Sequence, residues 1–534
     1  MRSTEQLYNQ RLARYVTAMR NGKPDMIPIR PFVAEFVASY AGMTCQEVTH
    51  DYRKAFAAAR KCAAEFDWDA VVANMVYVWT GLTQALGLRY YAVPGIDVGP
   101  NVGFQYLEPV EEQAYMKADE YDQLIDDPTA FLYTVWLPRV SREVTAAGQP
   151  TTYRSHVALT RSAMAMLQYF HDFGPQVEAL RTECGTVSAI AGILKAPFDI
   201  LADKLRGYIG LTMDMVTQPS KVLAACEALM PHLYNVAITT ADPTGTVPVG
   251  FWMHRGCLPF VSKGQFESHY WPTVKPIIQE LWRNGHQTLM YAEGDWNAHL
   301  ASFAELPDAS VVYHVDRGDI FEVCDAIGDR FCLSGGIPNV LLSHGSADDV
   351  RACVKKVIDG VARDGGYILD ASAIMQNDTR ADNLRALTDF AREYGVYSSS
   401  ASSPYQAAAG EGHAISPRCK GGAGGGLAIS PPCKGGAGGG PAISPRCKGG
   451  AGGGLAISPP CKGGAGGGPG GQPLDTLSLP KHHEGVTQPG TCIPWPVKRR
   501  ELGDIAGDVD LVERVWREVD ALGNTFIWQI LVSF

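Results

Sequence analysis

The sequence predicts an α/β protein built on a parallel sheet, and three observations carry that prediction. Short apolar runs alternate with longer amphipathic stretches through the first 397 residues. The apolar runs have strand length, and most are continuous, as strands buried on both faces require. Hydrophobic residues make up 46% of the chain and charged residues 19%, which is enough apolar surface for a full core.

Taken in order, the candidate strands are Ile27–Arg30, Ala70–Val76, Thr186–Ala191, Val247–Met253, Thr288–Ala292, Val311–Val315, Phe331–Ser334 and Tyr367–Leu369. Between them lie helix patterns. RKAFAAARKCAAEF sets Phe56, Ala59, Cys62, Ala63 and Phe66 on one face at i, i+3 and i+4 spacing. ADDVRACVKKVIDGVARDGG opens with acids that suit a helix N-terminus and closes on Gly365–Gly366, a C-cap signal. The His344–Ser346 step before it reads as a turn with Ser346 as the helix cap. Eight strands with intervening helices fit a (β/α)8 TIM barrel, and an open doubly wound sheet fits the same count.

The composition then changes. AISP(R/P)CKGGAGGG(L/P) starts at Ala414, Ala428, Ala442 and Ala456, four copies with a period of 14 residues. Its variable positions alternate, so the longer unit is 28 residues, and this fidelity reads as recent duplication. A mostly Gly repeat buries nothing, so the segment is expected to be a disordered insertion rather than a solenoid. Its Cys419, Cys433, Cys447 and Cys461 are too widely spaced for a zinc site. Helical periodicity returns near the end, where Leu511, Val512, Val515, Trp516, Val519 and Leu522 precede a strongly apolar tail that needs a partner surface. The expected organisation is a barrel over 1–397, a low-complexity linker over 398–493, and a C-terminal helix over 494–534 packed on the barrel.

Charge and cysteine usage exclude some classes of function. A formal net charge of −10 with no basic stripe argues against a nucleic-acid partner. The N-terminus is charged throughout, and no run approaches the ~20 apolar residues of a membrane span, so a cytoplasmic enzyme is expected. Nine cysteines outside the repeat are scattered without a C-x-x-C pair, as reduced, buried cysteines are.

Five segments carry a resemblance to a known family: PFDILADKLRG (Pro197–Gly207), FESHYWPTVKPII (Phe266–Ile278), YAEGDW (Tyr291–Trp296), FCLSGGIPNVLL (Phe331–Leu342) and GGYILDASAIMQNDTRADNLRAL (Gly365–Leu387). Through them the chain resembles the uroporphyrinogen-decarboxylase superfamily, which includes corrinoid methyltransferases. The resemblance implies the TIM barrel. It departs from true decarboxylases, whose R-Q-A-G-R segment is replaced by IPIRPFVAEF and whose pyrrole-gathering Asp is missing from AVVANMVYVW. It departs also from thiol methyltransferases, because Tyr291, Glu293 and Ala373 stand where their zinc ligands would be. What remains is similar to the ether-demethylase branch. That similarity implies zinc as a Lewis acid, a small methoxylated or methylated donor, and cobalamin carried by a separate corrinoid protein. A homodimer is common in the superfamily.

In such a barrel the chemistry sits at the carboxyl ends of the strands. Glu293 follows one strand and His314 ends the next, so both are expected at the mouth as catalytic residues and zinc ligands, at about 2.0–2.2 Å from the metal. His254, with Asp316 as second choice, is the expected third ligand. Without a metal, Glu293 and His314 would form a hydrogen-bonded pair, or Glu293 would protonate the leaving oxygen itself. His254 is as readily a substrate contact or a satisfied core histidine, and Cys257 more readily packing than ligand. Asp295, Asp316, Arg206, Trp79 and Tyr77 are the expected substrate contacts. Trp252, Trp271, Tyr77 and Trp79 would line an aromatic pocket or simply belong to the core. Asp199 and Asp203 read as acids at a helix start or as part of a closing loop. Two other functions fit less well: a decarboxylase or lyase acting on another substrate, with Arg30 as the obvious anion contact, and a barrel that only binds.

Overall fold

Runs such as TLMYA and VVYHV are mostly apolar on both faces, so they are stable only between two covered layers. They form the centre of the sheet. In the computed structural model, which describes residues 3–72, 84–109, 114–397 and 487–533, ten strands are present: β1 Ala70–Val71, β2 Tyr91–Ala92, β3 Gln105–Tyr106, β4 Val187–Ser188, β5 Ile193–Lys195, β6 Val249–Met253, β7 Thr288–Ala292, β8 Val311–Val315, β9 Cys332–Gly335 and β10 Tyr367–Ile368. Six of them form one parallel sheet in the order β10-β9-β8-β7-β6-β5, a second parallel pair joins β1 to β4, and β2 and β3 form an antiparallel pair.

Among the described residues, the regular ladders do not close into one continuous barrel. The expected strand Ile27–Arg30 is not a ladder; it contributes single parallel bridges, Ile29 to Leu369 and Phe32 to Val72, on either side of the gap. The Pro28 and Pro31 nitrogens have no hydrogen to donate, which limits regular pairing there. The fold is therefore α/β with a central parallel sheet. Strand β5 and the β2–β3 pair are additions to the expected set, and the expected Thr186–Ala191 strand is the two-residue β4.

Helices follow the patterns that predict them. Tyr52–Glu65, capped by the Asp51 carboxylate, buries Ala55, Phe56, Ala59, Cys62 and Ala63. Ser346 and Asp349 form a capping box at the start of Ala347–Val361. That helix stops before the expected glycines. Gly365 and Gly366 instead carry φ of +85° and +62° in the turn that follows. A Cβ on Gly365 would lie 2.3 Å from the Gly22 carbonyl oxygen, so only glycine fits. Among the described residues one helix, Pro219–Thr240, is long and apolar enough to cross a membrane, and 61% of its apolar window is buried within the protein.

Chain contacts group residues 3–397 and 487–533, where described, in one unit. The Gly-rich repeats, Tyr77 and Trp79 lie outside the described residues. After the repeats, the helix Val509–Val532 starts at the Asp508 cap and buries its second half, from Asp520 to Val532. Trp528 stacks on His232 with ring centres 4.6 Å apart and donates its Nε1 hydrogen to Thr129 Oγ1 at 3.1 Å. Tyr133 donates to the Gly523 carbonyl at 2.6 Å. The Leu511, Val515, Val519 and Leu522 stripe, which its spacing marks as a packing face, is exposed instead.

Candidate active site

Parallel register arranges the carboxyl ends of the strands in rows. One row runs Lys195, Trp252, Tyr291, His314, Ser334 across β5 to β9. It is a closed layer: Trp252 stacks on Tyr291 at 5.5 Å, Tyr291 stacks on His314 at 4.7 Å, and Phe32 meets all three edge-on. Side chains on a strand alternate, so the next layer outward comes two residues later. It contains His254, Glu293 and Asp316.

His254 is the hub of that outer layer. Its Nδ1 lies 3.1 Å from Asp203 Oδ2, and its Nε2 lies 3.5 Å from Glu293 Oε2. Nε2 is shielded from solvent and has no hydrogen-bond partner of its own. Asp203 is buried and also accepts from Arg255 Nε at 2.9 Å, with Lys195 Nζ 3.9 Å away. Arg255 continues to Glu108 at 3.0 Å. Behind them, Asp199 accepts the backbone N–H groups of His254 and Arg255 and the Tyr270 hydroxyl, at 2.9, 2.8 and 3.0 Å. These three bonds fix the backbone that carries His254.

The electrostatics follow from these contacts. Burial alone would lower the His254 pKa, but Glu293 and Asp203 outweigh it, so the imidazole titrates above its ordinary value. Burial acts against ionisation of Asp203 as well; His254, Lys195 and Arg255 nevertheless hold its carboxyl well below the usual range. Asp199 is pushed up to about 6, chiefly by burial and partly by Asp203, against the opposing pull of His254. The result is an imidazole, its protonated form favoured, held by a carboxylate on one side, with its second nitrogen directed at a half-exposed carboxylate at the mouth. Such an assembly can deliver and recover a proton.

Residues 145–394 match the family model described as uroporphyrinogen decarboxylase (URO-D). Over these residues the chain is similar to that family. The match spans β4 to β10, and with them Lys195, Asp199, Asp203, His254, Glu293 and Asp316. Among solved structures, a methyltransferase from Methanosarcina mazei aligns with 71% of this chain and 98% of its own, at 16% identity and a TM-score of 0.47. No curated protein matches.

The strand ends bring some expected site residues together and separate others. His254 and Glu293 meet. Asp316 stands nearby, accepting the Gly294 N–H at 2.8 Å, and so ties the loop after β7 to the end of β8. Asp295 is exposed and accepts from the Asn297 N–H at 3.0 Å, shaping the same loop.

His314 is a correction. It belongs to the inner layer, is fully buried, and has Ser334 Oγ at 3.0 Å from Nδ1 and the Ser372 carbonyl at 3.0 Å from Nε2. A carbonyl only accepts, so Nε2 carries the hydrogen and has no lone pair for a metal. Burial holds this imidazole well below its ordinary pKa. Glu293, His314 and His254 therefore do not fit a three-ligand zinc site. Among the described residues no group of three His, Cys, Asp or Glu side chains is arranged to hold a metal ion.

Arg206 is a second correction: it is buried against Asp214 at 2.5 Å and the Met116 carbonyl at 2.9 Å, away from the mouth. Arg30, the expected anion contact, is also fully buried, donating to Ser334 at 2.9 Å, 3.6 Å from Asp370 and packed over the Phe32 ring. Cys257 is packing: its thiol donates to the His254 carbonyl at 3.2 Å, and burial raises its pKa to about 12. The residues that sequence reasoning undervalued are Asp203, Asp199, Lys195 and Arg255. Their signal was present, since two acids at i and i+4 directly follow a strand end, a spacing that sets them on one helix face at the mouth.

Proposed function

We propose that the chain transfers a methyl group from a small, neutral methylated compound to a corrinoid protein, with His254 as the proton donor to the leaving atom. In this reading the strands form the eight staves of a TIM barrel and the protein works in the cytoplasm. The observation that carries it is the Asp203–His254–Glu293 arrangement at neighbouring strand ends. A methyl ether or methylamine releases its methyl group poorly because the departing oxygen or nitrogen is basic. Protonation of that atom as the C–O or C–N bond breaks removes the difficulty and is worth about 10²–10⁴ in rate. Cob(I)alamin on the partner would supply the nucleophile that takes the methyl group. His254 then regains its proton from water through Glu293, and Asp203 keeps the ring oriented throughout.

The charge balance of the mouth favours this substrate class over a carboxylate. Asp199, Asp203, Glu108, Glu293 and Asp316 surround it, and its cations Lys195 and Arg255 are already engaged with Asp203. With Arg30 and Arg206 sequestered, nothing among the described residues repeats the arginine cluster that gathers carboxylates. A carboxy-lyase would use the same His254 to protonate carbon, and a test separates the two. The full chain is mixed with chemically reduced free cobalamin and a panel of methyl ethers and methylamines, and methylcobalamin is followed by absorbance. Methylcobalamin formation is expected with at least one donor. Release of CO2 from carboxylated substrates without any methylcobalamin would overturn the proposal.

A further inference from the structure

The helix Val509–Val532 buries mainly its second half, and its first half carries exposed apolar side chains. There Leu511, Val515, Val519 and Leu522 recur at spacings of four, four and three residues, which places them on one stripe, and Val515 and Val519 are 50% and 57% exposed. The opposite flank is closed by contacts within the chain: Trp516 donates to the Ile493 carbonyl at 3.0 Å, Lys498 lies over its ring, and Arg517 pairs with Glu513. Arg514 and Glu518 border the open side of the stripe, are exposed, and have no ion-pair partner among the described residues.

We infer that this stripe is the contact between two copies of the chain, packed as an antiparallel helix pair. The pattern reads nearly the same in both directions. Leu511 with Leu522, Val515 with Val519, and Arg514 with Glu518 all have midpoints within one residue of position 516 or 517. One residue is about 1.5 Å along a helix, well within side-chain reach. A twofold axis through that point sets Leu511 opposite the second copy's Leu522 and Val515 opposite its Val519. It also brings Arg514 against Glu518 twice, because antiparallel helices face each other with the same flank. Self-complementarity of this kind is the requirement of an isologous interface, and a different partner would have no reason to meet it. The exposed ion pairs contribute little affinity and mainly fix direction. Four apolar residues per copy make a small interface, below about 1,200 Å² in total, so the dimer should be weak and concentration-dependent.

Sedimentation velocity of the full chain from about 1 to about 200 μM tests this, with a micromolar dimer as the expected result. Val519→Glu should weaken it at least about tenfold, equivalent to about 1.4 kcal/mol, with an unchanged circular dichroism spectrum because the residue is exposed. Arg514→Glu should weaken it several-fold, and Arg514→Glu combined with Glu518→Arg should restore it. A monomer at every concentration, or a dimer indifferent to Val519→Glu, would overturn the inference. Failure of the double exchange to recover what Arg514→Glu loses would overturn the antiparallel pairing.

Discussion

Asp203→Asn removes one charge and leaves the shape intact, which makes it the sharpest probe of the site. The carboxylate is buried and lies against His254 at 3.1 Å, Arg255 at 2.9 Å and Lys195 at 3.9 Å. The amide can still accept from His254, so the ring stays oriented, but Arg255 and Lys195 lose the charge that offsets their burial. Breaking a buried pair in this way costs about 3–5 kcal/mol. Arg255 is partly exposed and keeps Glu108, so the lower end of that range is expected. The folded-state pKa of Asp203 is depressed, so its contribution is present above about pH 4 and fades as pH falls. His254 is raised, so its share is complete below about pH 6.5 and is lost as pH rises through the folded value. The two describe one interaction and are counted once. Urea unfolding at pH 7 should show the loss, and the alkaline limb of the methyl-transfer rate should move to lower pH. Unchanged stability together with an unmoved limb would refute the assigned role of Asp203.

Other expectations follow from the same contacts. Glu293→Gln should shift the alkaline limb in the same direction, with little change in urea midpoint because the carboxylate is half-exposed. Trp528→Ala removes a ring stacked on His232 and a hydrogen bond to Thr129, and should cost about 3–5 kcal/mol by chemical denaturation. Gly365→Ala places a Cβ against the Gly22 carbonyl at positive φ; a loss of more than about 1 kcal/mol is expected, read as a lowered melting temperature.

The centre of the sheet was legible because β7 and β8 are mostly apolar runs of strand length, and their ends coincide with the residues that the pattern selects. Strand β5 was not, since three residues ending in Lys195 give no pattern to read. The site was legible to within one layer. His314 and Glu293 both stand at strand ends in the sequence, but register aligns His314 with Tyr291 and aligns His254 with Glu293. A difference of two positions along a strand separates a core histidine from one at the mouth, and only the ladder reveals it. Asp203 escaped because an acid at a helix start has an adequate local explanation, whereas its partner lies 51 residues away in the chain. The C-terminal stripe misled for a related reason: periodicity shows that a helix has an apolar face but not which surface covers it.

The assignment of His254 rather than His314 as the chemical histidine is tested most directly by comparing His254→Gln with His314→Phe in a single-turnover assay of methyl transfer to reduced cobalamin. His254→Gln should lower the rate by about 10²–10⁴, with a smaller loss of stability than Asp203→Asn because Asp203 keeps Arg255 and Lys195. His314→Phe should keep most of the rate while losing about 1–3 kcal/mol for each partner left unsatisfied at Ser334 and Ser372. The reverse result, with activity lost at His314 and retained at His254, would contradict the account.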